Sequence, residues 1–370
     1  MLVATFVALA LVATTVVYLG RTRPRGAVHD ASPRGEESVP PTVRPAERET
    51  EHATTAPLSV ARLAESCRQL RDGNLGAAGL ASLRRELMTG DPRAAIAAIR
   101  AFLATGEDSA TGQRLTVASG GGELEGSPTF RVWLLDVLGV LDRTARTGDA
   151  VTLSRGILEK KTSADEWALA LRNLAWAEPE SSPFLVAKFR EMTAHEPWLA
   201  APSAGLLEAF DIAVFARDPS LVPLLGELVQ GNRGELQRAA AIALDRMAEA
   251  DPFAVMSYLN SHPDVFAQKP LLRADYFAKA DLSQAPQRSM LELYLARADV
   301  SLPEKTKLIS ALAAPASFVS DTLFTTPRPL VDDTARFAAL EQAITAWTAS
   351  RRFPELTPAL IELQERIRAR

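Results

Sequence analysis

At Asp91-Pro92, Ser127-Pro128, Ser182-Pro183, Asp218-Pro219, Asp251-Pro252 and Thr357-Pro358, a short polar side chain stands directly before a proline. This pairing constrains the chain more than any other feature. A carboxylate or hydroxyl at that place accepts from the free N–H groups of a helix's first turn. Proline at the first helical position loses nothing by lacking its own N–H. Each pair therefore predicts a helix start. Ser163-Ala-Asp-Glu166 adds a capping box before the apolar run WALALRNLAWA. Several intervals between these starts are close to about 36 residues, the length of one helix, a turn and a second helix.

Arg217 to Ala250 shows what one interval contains. Asp218-Pro219 opens a helix with Leu221, Leu224, Leu225 and Leu228 on one face. Gly231 and Gly234 end it and reverse the chain. A second helix follows, with Leu236, Ala240, Ala243 and Met247 along its inner stripe. Asp251-Pro252 then restarts the cycle. One such hairpin cannot bury its own stripe, so it needs copies on either side. An aromatic content of 6% and an excess of Ala and Leu favour helices over a sandwich or barrel. The fold class expected is all-α, a right-handed α-solenoid of helical hairpins over residues 57–370.

The residues Asp218-Pro219 and the run Arg238-Ala-Ala-Ala-Ile-Ala-Leu resemble the HEAT-like class of α-helical repeats. Gly90-Asp91-Pro92-Arg93 with AAIAAIRAFL is a second instance. The resemblance covers residues 57–300 loosely and 217–260 well. It implies an architecture and an extended binding surface, and it transfers no active site.

Ahead of the repeats, Leu2 to Leu19 carries no charge and no proline. At about 1.5 Å per residue this stretch spans roughly 27 Å, enough for the hydrocarbon core of a bilayer. Residues 1–20 are therefore expected to form a transmembrane anchor or signal-anchor. A cleaved signal peptide is the rival reading, but no basic segment precedes the run and no small-x-small exit follows it. Residues 21–56 hold five prolines and almost no large apolar side chain, and read as a disordered linker. Arg21, Arg23, Arg25 and Arg34 follow the span, so the positive-inside rule places the repeat domain in the cytoplasm, the periplasm being the alternative. The location expected is a bacterial inner membrane, crossed once.

Two segments interrupt the pattern. Thr105 to Ser127 is rich in glycine and polar residues, with Arg114-Leu-Thr-Val as a short strand, and a loop of this length is either functional or a simple insertion. Thr325 to Asp332 contains prolines before a last long helix, 333–350, and a terminal helix, 358–370.

Motifs of chemistry are sparse. His262-Pro263-Asp264 copies the J-domain tripeptide but lacks the basic helix that should precede it; a helix-start turn explains it. Gly120-Gly-Gly122 lacks the Lys-Ser/Thr pair of a phosphate loop, and Gly156 to Thr162 has that loop's tail without its second glycine. No HExxH, paired-cysteine or GxSxG pattern occurs. Catalytic, cofactor-binding and metal residues are accordingly not assigned, and no cofactor is expected. Cys67 keeps step with Val60, Leu63 and Leu70 and reads as a buried apolar residue. A net charge of −4 argues against nucleic acid as a partner. A small-molecule substrate is not expected either. Trp133, Trp167 and Trp347 read as core. Trp176 and Trp198, near prolines at helix ends, are candidates to line a partner-binding groove, as are Glu123 and Glu125 of the irregular segment. The function expected is a membrane-anchored protein–protein interaction scaffold. The alternatives are an enzyme on a helical repeat scaffold and a structural spacer of the cell envelope.

Overall fold

In the computed structural model, residues 59–179, 182–314, 322–324 and 334–369 are described. The expected membrane span at residues 2–19, the linker 21–56 and the proline-containing connection 325–332 lie outside them. Among the described residues, no helix is long and apolar enough to cross a membrane.

The predicted caps set the first helices. Ser59 caps α1 (Val60–Arg71), accepting from the Arg62 N–H. After α2 (Ala77–Thr89), Asp91 caps α3 (Pro92–Thr105) with Pro92 in its first turn. A two-stranded antiparallel hairpin follows, β1 (Thr116–Val117) on β2 (Leu124–Gly126). The start expected at Ser127-Pro128 moves two residues on: Thr129 caps α4 (Phe130–Ala145), accepting from the Val132 N–H. Next come α5 (Asp149–Leu158), α6 (Ala164–Ala177) and α7 (Ser182–Thr193). Three short helices follow: α8 (Glu196–Ala200), α9 (Ala204–Glu208) and α10 (Ile212–Ala216).

Asp218 caps a 3-10 turn, Pro219–Leu221, that leads into α11 (Val222–Gln230); the Gly231–Gly234 turn reverses the chain into α12 (Glu235–Ala250). Asp251 caps α13 (Pro252–Ser261). His262-Pro263-Asp264 follows that helix as its C-terminal turn instead of starting one, with the His262 ring stacked on Tyr258. The chain continues through α14 (Pro270–Phe277), α15 (Ala285–Ala296), α16 (Leu302–Ala311), α17 (Thr334–Ala349) and α18 (Thr357–Arg368). The last begins at Thr357 as expected, but Thr357 is its first residue and provides no side-chain cap.

The helices pair with neighbours one to three places along the chain: α3 on α4, α4 on α6, α5 on α6, α6 on α9, α11 on α12, α14 on α16, α16 on α18. Most packed helices are thus near neighbours along the chain. The predicted inner residues of α12, Leu236, Ala240, Ala243 and Met247, are all buried, and so are Leu221 and Leu225. Leu224 and Leu228 are half-buried against that core. Trp133, Trp167, Trp347 and Cys67 are buried as expected.

Four ion pairs with buried carboxylates join residues 31 to 36 positions apart. Arg131 meets Glu166, 35 residues on, at 2.7 Å; Asp136 meets Arg172, 36 residues on; Asp211 meets Arg246, 35 residues on; Arg273 meets Glu304, 31 residues on, at 2.8 Å. Glu166 was the expected second half of a capping box. Ser163 does accept from the Glu166 N–H, but the Glu166 carboxylate is taken by Arg131. Breaking such a pair strands a charge out of water, so each pair holds its two segments in register.

Candidate functional site

The site grows from two charged residues set in apolar helices: Asp136 in the α4 run VWLLDVLGVL and Arg172 in the α6 run WALALRNLAWA. Both side chains are completely buried. Helices α4 and α6 can come this close because position 139 is glycine. A Cβ there would lie 2.1 Å from Asn173 Oδ1 and 2.8 Å from an Arg172 nitrogen. Arg172 Nη1 donates to Asp136 Oδ1 at 2.5 Å and to the Gly122 carbonyl at 2.8 Å; Nη2 donates to Asn173 Oδ1 at 2.8 Å. Burial pulls the Arg172 pKa down, while the Asp136 charge works against that fall. Asp136 Oδ2 accepts from Arg84 of α2 at 2.6 Å, and Arg84 also reaches Glu123 at 2.9 Å. For Arg84 burial opposes the charge, but the two carboxylates prevail and raise its pKa.

This network holds the irregular segment in place. Asp136 Oδ1 accepts from the Leu124 N–H at 3.1 Å and so fixes the base of β2. Between the strands, Gly120, Gly121 and Gly122 all have positive φ, a run that only glycine makes without strain. A Cβ on Gly122 would sit 2.9 Å from the Trp176 ring. Thr105 to Ser127 is therefore a folded hairpin rather than a loose insertion, and Trp176 is one of its walls. The Arg143 and Arg172 guanidiniums lie over the Trp176 ring, 4.4 and 4.1 Å from its centroid.

The glycine turn faces a tripeptide from far along the chain. The Gly122 N–H donates to the Thr322 carbonyl at 2.8 Å. The Leu323 N–H is held by the Glu208 carboxylate at the end of α9, and the Phe324 N–H by Asp211 Oδ2 at 3.2 Å. Asp211 is itself paired with Arg246 of α12. Leu323 is fully buried and Thr322 and Phe324 nearly so. Burial, and then the nearby Asp211 charge, push the Glu208 carboxyl up to about 7, against the lowering effect of Arg246 and the Leu323 N–H. All three contacts to the tripeptide use its main chain.

Of the four sequence candidates, the structure brings Trp176 and Glu123 together around Gly122. Glu125 is exposed on β2. Trp198 belongs elsewhere: its ring meets Trp167 edge-on at 5.2 Å and His195 at 4.5 Å. Trp167 and Trp176 stand nine positions apart on α6, roughly 13 Å along its axis. Sequence reasoning missed Asp136, Arg172, Glu208, Asp211 and the tripeptide. A charge inside a long apolar helical run was the available signal for the first two, since such a charge must be paired.

A second concavity, a cleft of about 520 Å³, is lined by Arg100, Leu103, Arg131, Lys160, Thr162 and Glu166 among others. Its arginines are committed, Arg131 to Glu166 and Arg100 to Asp149. The Gly156–Thr162 stretch that shares a phosphate loop's tail is the last turn of α5 and the turn after it. Among the described residues, no cluster of three His, Cys, Asp or Glu side chains could hold a metal ion.

Fold and site together define an all-α protein of many packed helices, with a buried charged network that fixes a glycine turn against Thr322–Phe324 of its own chain. Comparison with protein-family models, curated proteins and solved structures found no match.

Proposed function

We propose that this chain is a protein–protein interaction scaffold, a right-handed HEAT-like solenoid tethered to a bacterial inner membrane by residues 2–19. The observation that carries the reading is the seating of Thr322–Phe324 through its main chain, the Thr322 carbonyl accepting from the Gly122 N–H and the next two N–H groups donating to Glu208 and Asp211. Main-chain contacts can supply affinity and side-chain burial selectivity, which is how peptide-recognition modules work. The one-hairpin spacing of the buried ion pairs supports the repeat architecture. Four arginines after the apolar run support a cytoplasmic repeat domain. A membrane tether would raise the local concentration of whatever the domain holds.

The test is in-cell photocrosslinking from the exposed position 125 of the membrane-bound protein. A scaffold gives discrete adducts of one recurring partner that saturate with light dose. A structural spacer gives no specific adduct, and that outcome would refute the reading. Reporter fusions after Arg370, one active only in the cytoplasm and one only outside it, decide the orientation.

A further inference from the structure

The cleft of about 520 Å³ beside Arg131 combines an apolar lining with a cationic one. Leu103 and Ala104 of α3 and Leu153 and Ile157 of α5 form the apolar part; Arg100, Arg131, Lys160 and Thr162 supply donors. Its volume is that of a small-molecule site. Ala104, Gly156, Lys160 and Thr162 are exposed, so the cleft opens to solvent.

Two features suit it to an occupant. The first is Gly156, inside α5, where glycine destabilises a helix relative to alanine. Its φ is not positive, and a Cβ there would meet nothing within 4 Å. Neither backbone conformation nor packing within the chain calls for glycine at this position. What the missing side chain leaves open is the cleft. The second feature is the turn that carries Lys160. The Lys160 N–H donates to the Ile157 carbonyl at 2.9 Å, and the fully buried Trp167 indole donates to the Lys160 carbonyl at 2.7 Å. Lys188 Nζ holds the Leu158 carbonyl at 3.2 Å. The Lys160 ammonium, by contrast, meets no acceptor among the described residues. A pinned backbone keeps that charge at the cleft before any ligand arrives.

Charge then selects the ligand. Arg131 meets both Glu166 oxygens, at 2.7 and 3.2 Å, and the Leu103 carbonyl at 2.8 Å, which leaves two of its five N–H groups over. Arg100 pairs with Asp149. With these two pairs neutral, Lys160 is the lining residue whose charge is left, and the adjoining Glu159 and Lys161 cancel each other. One positive charge with spare donors beside it fits one carboxylate. The α5 wall from Thr152 to Ile157 rises roughly 8 Å, which fits a short apolar body.

We propose that this cleft binds a small organic acid, its carboxylate held by Lys160, Arg131 and Thr162 and its apolar body laid over Gly156 against Leu103, Leu153 and Ile157. The site goes beyond the scaffold reading and stands or falls without it.

The experiment uses the full chain in lipid nanodiscs and octanoate carrying a photoactivatable diazirine near its methyl end. Labelled peptides are mapped by mass spectrometry, with octanoate and octanol as competitors. The expected result is saturable labelling within residues 100–106 and 152–162 that octanoate abolishes and octanol does not. Gly156→Leu fills the cleft and Lys160→Glu reverses its charge. Each should cut labelling at subsaturating probe at least tenfold, whereas Lys160→Arg should keep it within about threefold. Both positions are exposed, so the melting temperature, measured for each variant, should hold. If Gly156→Leu unfolds the chain, Lys160→Glu against Lys160→Arg carries the decision. Labelling confined to other regions, equal competition by octanol, or labelling unchanged within twofold in a folded Gly156→Leu or Lys160→Glu variant would overturn the proposal.

Discussion

Glu208→Gln tests the electrostatics around Thr322–Phe324 most directly. The Glu208 carboxyl titrates at about 7 in the folded protein, against an ordinary value of 4.5. The folded state therefore binds its proton more tightly than the unfolded chain does. Stability from this group is fully present below about pH 4.5 and falls as pH rises through about 7, because the ionised folded protein then holds a poorly solvated charge beside Asp211. At about 1.36 kcal/mol per pH unit of separation, the loss amounts to roughly 3 kcal/mol. Glutamine keeps an oxygen to accept the Leu323 N–H but cannot ionise. The variant should match wild type near about pH 4.5 and exceed it by up to roughly 3 kcal/mol at about pH 8.5. Urea unfolding followed by circular dichroism over this range gives the difference curve, and subtracting wild type cancels the other titrating groups. A difference that stays within about 0.5 kcal/mol across the range, or that grows towards acid, would refute the argument.

Other variants probe the supports of the site. Arg172→Leu leaves Asp136 buried with Arg84 as its remaining cation and should cost about 3–5 kcal/mol. Asp136→Leu combined with Arg172→Leu should recover much of that loss in urea unfolding, because no charge is then stranded. Gly122→Ala places a Cβ at φ +85° and 2.9 Å from Trp176, so we expect a loss of about 1–3 kcal/mol in the same assay. Ser163→Ala removes the α6 cap and should cost about 1 kcal/mol, read as a fall in melting temperature. Cys67 is fully buried, and burial raises its thiol pKa; a thiol-reactive dye should label it only as the protein unfolds.

How far the sequence reaches can be judged residue by residue. Asp91, Ser163, Asp218 and Asp251 were legible as caps because capping is settled within three residues. Ser127-Pro128 misled because Thr129 offers the same chemistry two positions later, and nothing local ranks the two. Trp176 was singled out by its place at a helix end, and the structure sets its ring against Gly122 and two arginines. Trp198 has the same local signature but turns inward to Trp167 and His195. Glu123 was singled out only as part of a long polar segment; its pairing with Arg84, 39 residues away, carries no local mark.

By itself, then, the sequence determined that the chain is mainly helical and where several of its helices begin. Those properties follow from capping and from apolar spacing within a few turns. Tertiary structure alone decided that Thr322–Phe324 lies against Gly122, Glu208 and Asp211, the last contact spanning 113 residues. The reason is physical. The tripeptide's hydrogen bonds to Gly122, Glu208 and Asp211 use its main chain, which every residue shares, so no side-chain pattern announces these partners. Its position depends on the summed geometry of the helices between, and a small change in any one of them would move the partners apart.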